Sequence, residues 1–319
     1  MSIKHKDYAY LNKRYPKDII GVENQFWLML RVLFELPRTR YVLDSYICLP
    51  ALLQFICNKS RNIDYVFLQH GMTCFKDVFD KYNGECFNKI VISNDSEAEL
   101  FLRYGKCRPE QFIKSCMVRF DRLCNSQRND SIKEIFVFFT FRYSFAKQNT
   151  PIENYDFYKN IMLLLDLLQK VAEVKNITIS VGLHYLIKQE LLVQIANKNW
   201  NRIKLTESTE ISQKIKTADM LITDYSSISF DFMFQNKPVL FYYPDFDDNS
   251  LMDFDKKLQN YALKQQKEFF EVYFDLKELS HRINAALDCS EKTDYDSWFY
   301  RKDNCCEFLW NSLKSGMSS

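Results

Sequence analysis

Short apolar runs of β-type residues alternate along the chain with longer runs whose apolar positions recur at helical spacing. Tyr41–Asp44, Tyr65–Gln69, Lys89–Ser93 and Phe112–Met117 read as strands. Asp95–Tyr104 reads as a helix, with Asp95 and Ser96 as N-cap candidates, Glu97 and Glu99 in the first turn and Gly105 as the stop. The polar stretch Asn125–Lys133 breaks the pattern and sets a domain boundary, giving lobes 1–126 and 127–319. Alternation resumes with Ile135–Phe141, a continuous apolar run of the kind buried on both faces of a parallel sheet.

After it the pattern predicts helix Tyr155–Val174, strand Ile177–Leu183, helix Lys188–Asn197, strand Arg202–Leu205, helix Glu210–Thr217 and strand Met220–Thr223. Helix Ser227–Gln235, strand Pro238–Tyr243 and helix Leu276–Leu287 complete the second lobe, and a helical segment over Asp296–Leu313 packs back across the lobes. Regular strand–helix–strand order implies an α/β fold of two Rossmann-like lobes, each with a parallel sheet, and a cleft between them. The first lobe is short, since few residues precede Tyr41. In such sheets ligands bind beyond the carboxyl ends of the strands.

Composition narrows the class. The 319 residues are 47% hydrophobic and 26% charged, with net charge +2, so nothing supports a nucleic-acid partner held by bulk electrostatics. Ten Cys without a CxxC pair fit reduced thiols in a cytoplasmic protein. Met1 to Lys17 is too polar for a secretory leader. The apolar stretches Phe26–Phe34 and Ile47–Cys57 fall short of the roughly 18 residues a membrane span needs. They read as buried helices, with peripheral docking on a membrane as the other reading.

Candidate chemistry collects at the strand ends. The chain has only four His and six Gly, yet His70-Gly71 follows one strand and Gly182-Leu183-His184 closes another. Glycine there permits a sharp turn or close backbone approach to a ligand. A single such histidine is usually a structural residue, whereas one in each lobe at the ligand end points to a site. His5 and His281 lack this context and read as surface residues. Thr223-Asp224-Tyr225-Ser226-Ser227 joins a strand to a helix carrying Asp231, so N–H groups and two hydroxyls are offered at a helix N-terminus, a setting suited to phosphate. The plain alternative is an N-cap. Thr140-Phe141-Arg142 ends another strand, and Arg142 is a candidate for phosphate oxygens. The acidic run Asp245-Phe246-Asp247-Asp248 reads first as a solvated loop, with a ribose or polyol contact as the other reading. Walker A, GxGxxG, GxSxG and zinc-type spacings do not occur.

These segments resemble the CDP-glycerol glycerophosphotransferases of teichoic acid and capsule polymer synthesis. The resemblance rests on Leu68-Gln69-His70-Gly71, Phe139-Thr140-Phe141-Arg142, Leu183-His184-Tyr185-Leu186-Ile187 and Ile222 through Phe232, followed by Lys237-Pro238-Val239. The chain departs from the family at Cys116–Asp121, where Gly-Tyr-Pro-Arg-Asn is usual, and at Met72-Thr73 after Gly71.

The resemblance implies a GT-B-like architecture, a CDP-glycerol or CDP-ribitol donor, no cofactor and no metal. It implies a polymer or lipid-linked glycan acceptor and a cytoplasmic enzyme that can lie peripherally on the inner membrane face. It further implies His70 and His184 as catalytic residues. Thr140, Arg142, Asp224, Ser226, Ser227 and Asp231 line the donor phosphates, and Gly71 and Gly182 allow backbone approach. The chain reads as a minimal member or as part of a longer polymerase. A GT-B glycosyltransferase using a nucleotide sugar, and an inactive scaffold homologue, remain alternatives.

Overall fold

The computed structural model describes residues 40–45, 63–75, 84–124, 131–148, 150–184, 189–288, 293–300 and 303–315. The two apolar stretches 26–34 and 47–57, the start of the chain that bears on the length of the first lobe, most of the expected boundary, and residues 185–187 lie outside them. The first lobe runs β1 (Tyr41–Asp44), β2 (Asp64–Phe67), β3 (Lys89–Ile92), α1 (Asp95–Tyr104) and β4 (Phe112–Lys114). The second begins with β5 (Glu134–Phe139), α2 (Tyr143–Lys147), α3 (Asp156–Lys175), β6 (Thr178–Leu183), α4 (Gln189–Asn197), β7 (Ile203–Thr206) and α5 (Ile211–Thr217). It continues with β8 (Met220–Thr223), α6 (Ile228–Phe234), β9 (Val239–Tyr242), α7 (Asp253–Gln266), β10 (Val272–Tyr273), α8 (Leu276–Asp288) and α9 (Cys305–Ser315).

Both sheets are parallel. The first has the order β1-β2-β3-β4, with Leu43 beside Val66 and Ile90 beside Phe112. Alternate residues of β2 face opposite ways. Tyr65 and Phe67 join Ile90, Ile92 and Phe101 on one face, while Val66 joins Val91, Ile113, Leu309 and Leu313 of α9 on the other. The second sheet has the order β10-β9-β8-β5-β6-β7. Counted within the lobe this is 3-2-1-4-5-6, the doubly wound Rossmann order, whose reversal point lies between β5 and β8. Ile135, Val137 and Phe139 pack under α3 and α8, and Phe136 and Phe138 face α6. Apolar residues of α3 recur at Ile161, Leu164, Leu165, Leu168 and Ala172, and left-handed Asn176 (φ 53°) ends the helix.

A large apolar cluster spans the two lobes. Phe75 stacks on Phe230 with ring centres 4.7 Å apart, and Phe120 meets Phe234 at 4.6 Å in a tilted arrangement. Three elements differ from the pattern-based expectation. α2, α7 and β10 were not foreseen from the pattern, and the final segment is split: a short turn at Asp296–Trp298 precedes α9. Between them the Tyr300 N–H donates to Ser93 O in the first lobe at 2.9 Å, which draws the chain out of helix. Asp121 then caps α9, accepting from the Cys305 and Cys306 N–H groups at 2.7 and 2.8 Å. The N-cap of α1 is Asn94, whose side chain accepts from Glu97 N at 2.7 Å, rather than Asp95 or Ser96. No helix among the described residues is long and apolar enough to cross a membrane.

Candidate active site

The carboxyl ends of β5 and β8 meet at the reversal point of the second sheet, where helices leave in opposite directions and open a crevice. Thr140 follows β5 and Asp224 follows β8. The Asp224 carboxylate accepts from Thr140 N at 3.0 Å, from Thr140 Oγ1 at 2.8 Å and from Arg142 Nη1 at 2.7 Å. The opposite edge of Arg142 grips Asp245 beyond β9 in bidentate fashion, at 2.7 and 2.8 Å. The guanidinium also donates to Thr140 O at 2.7 Å and lies 5.1 and 4.9 Å from the rings of Phe157 and Tyr225.

Arg142 is 0% exposed. Burial alone would lower its pKa, but the charges of Asp245, Tyr225 and Asp224 outweigh it and hold the guanidinium well above its ordinary range. Burial pushes the Asp245 carboxyl up, against the pull of Arg142. A phosphate ligand for Arg142 is therefore not what this structure presents: the donors are taken up by Asp224, Asp245 and Thr140 O, beneath the crevice. Thr140 and Asp224 likewise spend their polar groups on each other. The three form a buried strut that fixes the β8–α6 turn.

That turn carries Ser226, buried, and Ser227, half-buried. The Ser226 carbonyl accepts from Ser229 N and Oγ at 3.1 and 2.8 Å. Ser227 is the N-cap of α6, with φ −64° and ψ −10°, yet its hydroxyl makes no capping bond. Among the described residues neither the Ser226 nor the Ser227 hydroxyl has a hydrogen-bond partner. α6 is shorter than expected, seven residues over Ile228–Phe234. Its macrodipole is correspondingly small and the Ser229 and Phe230 N–H groups already donate to Ser226 O and Ser227 O at 3.1 and 3.3 Å, so what the turn offers an anion is chiefly its two hydroxyls.

The first lobe brings the His70-Gly71 loop onto this turn. A β-carbon on Gly71 would fall 2.6 Å from Ser227 Oγ and 3.0 Å from Ser227 Cβ. The close approach that glycine permits is to Ser227. The sharp backbone turn falls one residue before His70, at Gln69 (φ 62°). Gln69 is held from below, its Nε2 donating to Val91 O at 2.7 Å. Glu97 secures the far side of the loop, accepting from Thr73 N at 3.1 Å and Ser93 N at 2.8 Å. Burial raises the Glu97 pKa, and those N–H donors oppose the rise. His70 is exposed at the tip.

Arg119 locks the lobes together beside His70. Its Nε donates to Asp231 Oδ1 at 2.9 Å, Nη2 donates to Asp231 Oδ2, and Nη1 donates to His70 O. Asp231 is buried in α6, and burial raises its pKa against the attraction of Arg119. Its part in the site is thus to hold Arg119, with both carboxylate oxygens occupied.

His184 ends β6, two strands from β8, half-buried, with its ring 5.9 Å from Phe141 and nearly parallel to it. Gly182 does not serve ligand approach. A β-carbon there would lie 2.7 Å from the Phe136 ring and 3.0 Å from Phe138, so the glycine makes room for core aromatics. The structure thus assembles His70, Gly71, Ser226 and Ser227 at the lobe junction, with Asp231 behind them and Thr140, Asp224 and Arg142 below. Sequence reading missed Arg119 and Glu97 as parts of the site. Arg119 sat in the segment that departs from the family pattern, and Glu97 read as an ordinary first-turn acid. Asp255 was also missed: its carboxylate accepts from Tyr143 N at 2.9 Å and Ser144 N at 2.7 Å, supporting the segment after Arg142.

Residues 16–288 match the family described as CDP-glycerol:poly(glycerophosphate) glycerophosphotransferase. The chain is 22% identical over 209 residues to the minor teichoic acid biosynthesis protein GgaB of Bacillus subtilis (strain 168), covering 57% of this chain and 21% of that protein. It is 20% identical over 229 residues to the teichoic acid ribitol-phosphate polymerase TarK of Staphylococcus aureus (strain NCTC 8325 / PS 47), covering 68% and 41%. The chain thus spans less than half the length of these curated relatives. Among solved structures, a variant of the wall teichoic acid polymerase TagF superposes with a TM-score of 0.61 at 18% identity, over 88% of this chain and 74% of that one. A TagF variant soaked with CDPG gives 0.59 at 18%, over 98% and 85%. The S. aureus MnaA–UDP structure gives 0.57 at 14%, over 92% and 80%. These likenesses show a GT-B-like fold.

Proposed function

The chain belongs to the CDP-glycerol:poly(glycerophosphate) glycerophosphotransferase family, and on that premise we propose that it transfers a polyol phosphate, glycerol phosphate or ribitol phosphate, from a CDP-linked donor to an acceptor hydroxyl. The observation that carries this reading is the pair of uncommitted hydroxyls of Ser226 and Ser227 at the reversal point, with the His70-Gly71 loop seated against them. The acceptor oxygen attacks the β-phosphorus, the bond from that phosphorus to the bridging oxygen breaks, and CMP leaves with the electron pair. His70, exposed at the lobe junction, takes the acceptor proton, as an imidazole titrating near neutrality can. Ser226 and Ser227 bind phosphate oxygens, and His184 offsets charge that develops on the diphosphate. Arg142, Thr140, Asp224 and Asp231 position these groups without touching substrate.

The reading assigns charge neutralisation to protein groups, so a chelator such as EDTA leaves turnover unchanged. It takes a cell-envelope polymer or its lipid-linked precursor as acceptor, which puts the enzyme in the cytoplasm, in contact with the inner membrane face. His70→Ala tests the central assignment: turnover falls to background while CDP affinity stays at the wild-type value. Parallel loss of both removes His70 from the role of base. Turnover of a nucleotide sugar and not of a CDP-alcohol points instead to a glycosyltransferase.

A further inference from the structure

An open-sided cavity of about 320 Å³ lies between the loop after β9 and helix α7. Its lining is Phe246, Asp247 and Asn249 from the loop and Lys256, Gln259 and Asn260 from the helix. That volume suits a small ligand or one unit of a chain. We infer that this cavity is a subsite for a hydroxyl-rich phosphodiester, the polyol phosphate chain that serves as acceptor; the inference rests on the transferase reading above.

Gln259 supplies the first argument. It is 2% exposed, and among the described residues its buried Nε2 has no hydrogen-bond partner. Residues 255, 259 and 266 share one face of α7. The other two are fully engaged: Asp255 with Tyr143 and Ser144, and Gln266 with Tyr243 Oη at 2.7 Å and Asp224 O at 3.1 Å. Of the three, Gln259 alone carries a buried donor with no acceptor, on a side chain that lines the cavity.

The rim supplies the second. The acidic run divides by role. Asp245 is bound to Arg142, and Asp248 accepts from Asp156 N and Ser250 N, both at 2.8 Å. Asp247 between them is exposed, lines the cavity and holds a left-handed backbone (φ 66°) that a residue with a β-carbon rarely adopts. The loop is thus anchored at both ends with a single carboxylate left at the cavity.

The chemistry of the lining selects the ligand. Three amides and one carboxylate can donate to and accept from vicinal hydroxyls, and Phe246 offers an apolar ring to their carbon faces. Among the described residues Lys256 is the one cation of the lining, which matches the single charge of a phosphodiester, whereas a diphosphate asks for more. Among the described residues one aromatic ring, Phe246, lines the space, which is not the flat two-sided slot that a nucleobase fills. The cavity also opens at the right edge of the sheet. Its loop continues from β9, beside β8, and the guanidinium that holds Asp245 also holds Asp224 before Ser226 and Ser227.

The test uses the full chain and a short synthetic poly(glycerol phosphate) oligomer without nucleotide, with its ribitol counterpart, titrated in the presence and absence of saturating CDP. The oligomer binds with CDP present, and Gln259→Leu and Lys256→Ala each weaken it about fivefold while CDP affinity holds. Gln259→Leu also keeps or raises the thermal midpoint, since it removes a buried donor that lacks an acceptor. The inference is overturned if CDP binds and neither oligomer does, if CDP displaces the oligomer, or if the variants bind it like wild type. If CDP fails to bind but an oligomer binds and the variants weaken it, the subsite stands and the donor assignment falls. If neither CDP nor an oligomer binds, both fall.

Discussion

Gly71 and Ser227 meet across the two lobes with no room for a methyl group: a β-carbon on Gly71 would lie 2.6 Å from Ser227 Oγ. The His70-Gly71 loop of one lobe and the Ser226-Ser227 turn of the other are therefore in close contact here, beside the Arg119–Asp231 pair. Gly71→Ala must push the Ser227 hydroxyl aside or part the lobes. Overpacking of this kind costs about 1–3 kcal/mol. The expected result is a folded protein with donor affinity lowered roughly tenfold, the equivalent of about 1.4 kcal/mol, read by titration with CDP. Unchanged affinity would mean that Ser227 does not contact the donor.

Much of this arrangement was legible in the sequence, and the exceptions have physical causes. β5 and β8 read clearly because strands buried on both faces are almost continuously apolar, as in Ile135–Phe139 and Met220–Ile222. α7 was missed because its inward face is polar: Asp255, Gln259 and Gln266 are buried among few apolar residues, so the helical apolar stripe is thin. The positions of His70, Ser226 and Ser227 at strand ends followed from Gly and Ser at the ends of apolar runs. The part taken by Arg142 did not, because residue type cannot say whether a guanidinium turns toward a ligand or toward two carboxylates 82 and 103 residues away. Arg119 was hidden for the same reason, since its partners are His70 and Asp231, 49 and 112 residues distant.

Arg142→Lys distinguishes a strut from a phosphate ligand. A lysine cannot span Asp224 and Asp245 with bidentate geometry. Breaking a buried ion pair on one side costs about 3–5 kcal/mol, so denaturant unfolding should show a loss of that order, with donor affinity in the surviving folded fraction little changed. Wild-type stability with a raised KM for donor would return Arg142 to the phosphates.

Lys237 gives the fold a pH signature. Its ammonium is buried at the carboxyl end of α5, donating to Lys216 O at 2.6 Å, and burial lowers its pKa from 10.5 to about 8, against the raising charges of Asp219 and Glu134. Between those values the unfolded chain holds the proton and the folded one does not, so this residue's contribution to stability rises with pH through that window. It is complete above the unfolded value and is lost as pH falls through the folded one. The contribution amounts to roughly 3 kcal/mol at most. Lys237→Met abolishes it. The difference in unfolding free energy between wild type and variant, followed from pH 7 upward, should shift in favour of wild type as pH rises. A difference that stays flat would contradict the burial of a charged Lys237.

The central claim is that the turn Ser226-Ser227 binds the diphosphate of a cytidine nucleotide. Isothermal titration of the chain with CDP-glycerol, CDP-ribitol, CDP, UDP and GDP, alongside the Ser226→Ala/Ser227→Ala double variant, tests it most directly. The account predicts binding of the cytidine diphosphates in preference to UDP and GDP, lost in the double variant while the thermal midpoint is retained. Preference for UDP or GDP, or cytidine binding that survives removal of both hydroxyls, would contradict it.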